Sequence, residues 1–282
     1  MNMTFWYNGS SFEADSGDSS IPPYVPPNQE SLKFGATVFT TLRVYSEDLH
    51  HPLTQWQAHC DRLTHSLQAF KWQLPNWSAL YAGAQLLKRR YPILRVTIFP
   101  DGKEWIVGRS LSHQLTHHQQ TGVACWVAPS TYTRSLPAHK TGNYLACWLA
   151  RQQAQSHGAY EAILTNPQGD WLETTTGNLW GWRRDASGQG RWCTPLHNHC
   201  LPGIMRRILE KILAESGQII DPQPWHLKQL LSFEAIAYSN CAVGLVPIHT
   251  IFSGATTLEY NCSHDSIKAL QNRISLLANG CK

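Results

Sequence analysis

An α+β chain of two lobes is predicted, a smaller N-terminal α/β lobe followed by a larger C-terminal one. Three observations predict it. The 282 residues, 42% of them hydrophobic, suffice for two cores. Runs of alternating apolar residues are interleaved with stripes recurring every three or four residues, so strands and helices mix along the chain. Twelve Trp and ten Tyr supply large buried surfaces, which excludes a disordered chain.

In chain order, FWYNGSSFE reads as a hairpin about Asn8-Gly9, and the proline-broken run IPPYVPPNQE as a surface loop. ATVFTTLRVY is a strand. A helix follows, with Trp56, Cys60, Leu63, Leu67 and Phe70 on one face. Asn76 precedes a second helical stripe, Leu80, Ala84 and Leu87, which Pro92 stops. ILRVTIF and EWIVGR are strands, and VACWVAP completes a first lobe over 1–130, joined by a segment at 131–138 to a second over 139–282. There a helix over Asn143 to His157 carries Tyr144, Leu145, Trp148 and Leu149 and ends at Gly158. Strands YEAILTN and DWLETTTGNLWGW flank the turn Pro167-Gln168-Gly169, and RWCTP pairs beyond a Gly-rich turn. PGIMRRILEKILAESG has Pro202 at its start, Gly217 at its end and Ile204, Ile208, Leu209, Ile212 and Leu213 on one face, the clearest helix in the chain. EAIAYSN is a strand, and Ile267, Leu270, Ile274 and Leu277 mark a closing helix.

The net charge of +4 is dispersed, which disfavours nucleic acid and suits a small anionic ligand. No apolar run approaches the roughly 20 residues of a membrane span, and the N-terminus lacks signal-peptide character, so the cytoplasm is expected. Eight Cys without a C-x-x-C pair read as buried free thiols, and no His falls in an H-E-x-x-H frame, so no metal is expected.

Chemistry concentrates between 139 and 182, HKTGNYLACWLARQQAQSHGAYEAILTNPQGDWLETTTGNLWGW. A lysine, an Asn shortly after, a helix, G-x-x-E-A, a turn and E-x-x-x-x-N-L-W occur here as Lys140, Asn143, Glu161, Glu173 and Asn178. This order resembles the core signature of class IV (fold type IV) pyridoxal-phosphate enzymes, which include branched-chain and D-amino-acid aminotransferases and 4-amino-4-deoxychorismate lyases. The resemblance implies a D-amino-acid aminotransferase-like fold with a C-terminal pseudo-barrel, pyridoxal 5'-phosphate as cofactor, and a homodimer. It further implies Lys140 as Schiff-base lysine and proton shuttle, and Glu173 opposite the pyridine nitrogen. H-x-x-R-L at His59 to Leu63 is similar to the family motif whose arginine binds the phosphate, which implicates Arg62. L-P-G-I-x-R at Leu201 to Arg206 resembles the loop that offers backbone N–H groups to that phosphate, implicating Gly203, Ile204 and Met205; a helix start is a natural anion site. EAIAYSNCAVGLVPI resembles the strand and loop closing the phosphate cup, implicating Asn240 and Cys241, and Asn178 joins the cofactor set. Tyr144 either packs its helix or reaches the cofactor's phenolic oxygen.

FGATVFTTLRVY and GIMRR resemble the aminodeoxychorismate lyases within the family, which implies conversion of 4-amino-4-deoxychorismate to p-aminobenzoate and pyruvate with Lys140 as base. Thr40 or Thr41 assists proton movement in this reading, and Arg134 is a candidate for a substrate carboxylate. PDGKEWIVGR stands where some lyases carry an Arg- and Gly-rich loop, which leaves carboxylate recognition open. The alternative is a transaminase acting on branched-chain or D-amino acids with 2-oxoglutarate.

Overall fold

The computed structural model describes residues 3–14, 30–196 and 199–280, in two compact units: Met1–Leu111 with His139–Asn143, and Ser112–Ala138 with Tyr144–Lys282.

In the first unit, β1 (Met3–Tyr7) and β2 (Ser10–Ala14) form the expected hairpin, and Asn8 and Gly9 take the positive φ (43° and 84°) that a tight two-residue turn requires. Of the proline-rich loop read at 21–30, residues 21–29 lie outside the described residues and Glu30 opens a helix instead. After a short helix, α1 (Glu30–Phe34), β3 (Val38–Arg43), β4 (Ile93–Ile98) and β5 (Glu104–Arg109) complete an antiparallel sheet of order β2-β1-β5-β4-β3. Side chains alternate across a strand. Val38 and Leu42 of β3, Leu94, Val96 and Ile98 of β4 and Ile106 of β5 therefore share one core with α2 (Trp56–Phe70) and α3 (Trp77–Leu87). The stripe read on α2 is buried at Trp56, Cys60, Leu63 and Leu67, each large apolar side chain contributing about 1.5–3 kcal/mol. The Asn76 side chain accepts from the Ala79 N–H (3.1 Å) and caps α3.

Residues 139–143, read from sequence as the start of the C-terminal lobe, belong instead to this unit, because their backbone pairs with β3. The Phe39 N–H donates to the Lys140 carbonyl (2.8 Å), Val38 bridges Thr141, and the Gly142 N–H donates to the Thr37 carbonyl (2.7 Å).

The second unit is built on a sheet that closes on itself. After α4 (Leu115–Thr121), β6 (Val123–Val127) was expected to complete the first lobe; it runs parallel to both its neighbours here, β7 (Glu161–Thr165) and β13 (Gly244–Ser253). With β8 (Trp171–Thr174), β9 (Asn178–Arg184) and β12 (Ala235–Asn240) they make a ring, β9-β12-β13-β6-β7-β8, sealed by a Glu173–Asn178 pairing of β8 with β9. This is the pseudo-barrel expected. The single strand read over 170–182 is two, because Thr174 and Gly177 turn the chain back: the Thr174 N–H donates to the Gly177 carbonyl (2.8 Å) and the Gly177 N–H to Thr174 Oγ1 (2.9 Å). β10 (Gly190–Thr194) extends the sheet beside β9, as read.

Packed on the sheet are α5 (Leu145–Ser156) and α6 (Ile204–Glu215), and past β11 (Ile220–Pro222), α7 (Leu227–Leu230) and β14 (Thr256–Glu259) comes α8 (Asp265–Ala278). α5 buries its small residues Cys147, Ala150 and Ala154 against Ala162 and Leu164, which lets the helix lie close to the strands and turns Leu145, Trp148 and Leu149 outward. α6 buries the apolar face read from sequence and also Arg206, 1% exposed and paired with Glu210 (2.9 Å). Among the described residues six cysteines are buried and Cys262 is half-buried, and no helix is long and apolar enough to cross a membrane.

Candidate active site

Lys140, Thr40, Thr41 and Arg62 lie in the first unit. β3 sends Thr40 toward α2, where it is 1% exposed and its hydroxyl accepts from Arg62 Nη2 (2.7 Å) while lying 2.5 Å from His59 Nδ1. Thr41 takes the opposite face with Phe39. There the Lys140 amine stands 4.8 Å from the centre of the Phe39 ring, and the guanidinium of Arg95, whose strand position is opposite Thr41, covers the same ring at 3.5 Å. Of the two threonines read as proton carriers, Thr41 shares the face of the lysine; Thr40 is locked beside the arginine.

The remaining residues lie in the second unit, around the seam of the barrel. Glu173, at the end of β8, accepts from Arg134 Nη1 (2.8 Å) through Oε1 and from the Leu201 N–H (3.0 Å) through Oε2. Both partners of the ion pair are buried, with side chains 7% and 6% exposed. Burial works against the charge of Arg134, but the adjacent carboxylate overrides it and raises the guanidinium pKa further. Arg134 was read as a ligand for a substrate carboxylate; the geometry gives it to Glu173 and to the Leu136 carbonyl (3.2 Å). A long strand residue and an inter-element arginine carry no sign in sequence that they will meet. Tyr144 stands at the start of α5, its ring centre 5.8 Å from the Arg134 guanidinium, and burial pushes its phenol well above the usual range, so it remains a neutral donor.

Asn178 was read as touching the cofactor, and it is a brace here: its amide donates to the Leu201 carbonyl (2.9 Å), and a Cβ at Gly203 would meet its Oδ1 at 2.0 Å. A side chain at 203 would have to push the Asn178 amide from its brace; Gly203 stands at the N-cap of α6 with no side chain to satisfy the first turn. Ile204 and Met205 are buried in that turn. Asn240 also organises its own loop, its Oδ1 accepting from the N–H groups of Ala242 (2.9 Å) and Val243 (3.1 Å), while its amide reaches Thr176 Oγ1 (3.3 Å). Thr176 in turn donates to Glu161 (2.6 Å), a fully buried carboxylate that also accepts from Thr175 and from the Ala162 N–H (3.0 Å). Cys241 is buried beside this loop.

These donors suit the phosphorylated pyridine that the sequence leads one to expect. An uncapped, buried helix start and a guanidinium are matched to a phosphate, a buried carboxylate to a protonated ring nitrogen, and a primary amine to an aldehyde. Arg95, His59 and His139 were missed from sequence. A charge inside the otherwise apolar run ILRVTIF was the available sign of Arg95; His59 opens the H-x-x-R-L motif and His139 directly precedes Lys140, yet neither was given a role of its own.

The family profile described as "Amino-transferase class IV" matches residues 37–251. An aminodeoxychorismate lyase of Vibrio harveyi is 24% identical, over 91% of this chain and 94% of its own. A branched-chain-amino-acid aminotransferase of Pseudomonas aeruginosa is 23% identical, over 87% and 84%. Among solved structures, the branched-chain aminotransferase of Escherichia coli superposes with a TM-score of 0.80 at 19% identity, covering 100% of this chain and 97% of that one.

Proposed function

This chain belongs to the class IV aminotransferases, whose cofactor is pyridoxal 5'-phosphate, and on that premise we propose that it is a lyase releasing p-aminobenzoate and pyruvate from 4-amino-4-deoxychorismate. The observation that carries the reading is the face of β3 on which the Lys140 amine and the Arg95 guanidinium flank one aromatic ring beside Thr41. A base, an anion ligand and a hydroxyl on one surface are what a cyclic dicarboxylate losing a ring proton requires. Likeness along nearly the whole chain to the Vibrio harveyi lyase supports the choice of reaction.

In this reading Arg62 in the first unit and the first-turn N–H groups of α6 in the second are each candidate phosphate donors, and Glu173, ion-paired to Arg134, would face the ring nitrogen. The cofactor, once bound, supplies a ring that withdraws the electron pair of a broken C–H bond. Lys140 would hold the cofactor aldehyde, and its amine would take the ring proton beside the substrate nitrogen. The electron pair of the broken C–H bond would expel the enolpyruvyl oxygen as its carbon–oxygen bond breaks, leaving the carbocycle aromatic, and the proton taken by Lys140 would pass to the departing three-carbon fragment, with Thr41, on the same face of β3 as Phe39, assisting. Arg95 grips a carboxylate, the role for which Arg134 was first read. The enzyme acts as a cytoplasmic homodimer in this proposal.

Incubation with enzymatically made aminodeoxychorismate, following p-aminobenzoate by fluorescence, tests the reaction. Equal release of p-aminobenzoate and pyruvate is expected. D-Alanine or L-leucine converting the bound cofactor to its amine form, without p-aminobenzoate production from the first substrate, would establish the transaminase instead. Arg95→Gln is expected to raise KM for aminodeoxychorismate about tenfold with a smaller effect on kcat, as loss of ground-state binding does.

A further inference from the structure

Helix α2 presents two functions along one face. Arg62, His65, Ser66 and Phe70 recur at three- and four-residue steps, so their side chains rise on the same side of the helix. At one end Arg62 is held to Thr40. One turn further on, the helix receives the side chain of His139. Its Nδ1 lies 3.0 Å from Ser66 Oγ, its ring stacks on His65 with centres 5.4 Å apart and planes 16° apart, and it lies 4.7 Å from the ring centre of Phe70. Ser66 is 2% exposed, and its hydroxyl also reaches the Arg62 carbonyl (3.3 Å), so the arginine's own backbone joins the same contact.

His139 immediately precedes Lys140. The Lys140 carbonyl is latched to the Phe39 N–H (2.8 Å), and two residues on, the Gly142 N–H is latched to the Thr37 carbonyl (2.7 Å). The lysine's backbone is therefore tied to β3 while the side chain before it is tied to α2. His139 is thus seated against α2 where the chain bends into its pairing with β3, and the amine of the next residue, Lys140, stands 4.8 Å from the centre of the Phe39 ring.

We propose that His139 is a positioning residue: its clasp on α2 sets where the Lys140 amine stands relative to Arg62 and Thr41. The inference rests on the reading of Lys140 as the lysine that carries the cofactor. Displacement of a reacting group by about 1 Å can lower a rate about 100-fold, so a clasp of this kind acts on turnover rather than on substrate affinity.

The test uses the holoenzyme and four variants. His139→Ala removes stacking and hydrogen bond together, His139→Asn keeps an amide near the position of Nδ1, His139→Phe keeps the stack alone, and Ser66→Ala removes the hydroxyl. His139→Ala is expected to lower kcat about 10- to 100-fold with KM within about twofold, and to shift the pH titration of the bound cofactor's visible absorbance. His139→Asn and His139→Phe should each recover part of the loss, and Ser66→Ala should add nothing to His139→Phe. Melting curves and circular dichroism separate these effects from unfolding. Wild-type kcat and an unmoved absorbance titration in folded His139→Ala would overturn the inference, as would a loss that follows the folded fraction with no recovery in the conservative variants. Borohydride fixation of the wild-type cofactor separates the two levels: label away from Lys140 sinks the reading of the lysine and the clasp together, whereas label on Lys140 with indifferent variants sinks the clasp alone.

Discussion

Glu173 and Arg134 show how strongly one contact can govern the chemistry of a site. A buried carboxylate needs partners for both its oxygens, and the guanidinium at 2.8 Å together with the Leu201 N–H at 3.0 Å provides them. Removing one partner of a buried pair leaves the other uncompensated, at about 3–5 kcal/mol. Arg134→Met is therefore expected to lower the melting temperature and weaken cofactor binding together, and Arg134→Lys to restore part of both; calorimetry and absorbance titration of the apoprotein measure them. An unchanged cofactor affinity in a folded Arg134→Met protein would show that Glu173 does not depend on its partner. Tyr144, also near Arg134, is held neutral by burial, so its phenol should not ionise in the ordinary phenol range while the fold persists.

The start of α6 is a feature of the loop and helix jointly rather than of any one side chain. Asn178, on the strand that seals the barrel, ties down Leu201 and leaves no room for a Cβ at residue 203. Gly203→Ala is accordingly expected to displace the first turn and to weaken binding of pyridoxal phosphate by about tenfold or more while leaving binding of phosphate-free pyridoxal nearly unchanged, since a helix start favours an anion by about 1–2 kcal/mol. Equal losses for both ligands would show that the turn does not serve the phosphate. The same helix was legible from its Pro202 and Gly217 punctuation and its apolar stripe. α5 was legible in extent but not in face: its outward Leu145, Trp148 and Leu149 have the stronger apolar signal, and the buried Cys147, Ala150 and Ala154 become meaningful only against the sheet they approach.

Across both units, burial also sets the response to alkali. Cys60 in the first unit is pushed up to about 12, by burial first and by Asp61 second, and burial likewise raises Cys200 and Tyr238 in the second. These groups are neutral when folded and ionise more readily when unfolded, so the stability they contribute is intact below their unfolded values and declines as pH rises toward the folded ones. Denaturant midpoints are expected to fall steadily from about pH 9 upward, beginning where an exposed thiol ionises; a flat profile to pH 12 would contradict these assignments. Local order was readable without coordinates: the Asn8-Gly9 hairpin, the α2 stripe, the caps of α3 and α6, and the spacing from Lys140 to Asn178 all depend on neighbours within a few residues or on a motif. Partnerships between distant residues were not, because a linear pattern carries no register. Coordinates were needed to move β6 into the barrel, return Lys140 to β3, set Thr40 and Thr41 on opposite faces and give Arg134 to Glu173. Periodicity and punctuation are local physics, whereas which strand pairs with which, and hence which charge meets which, follows from burying all the apolar faces at once.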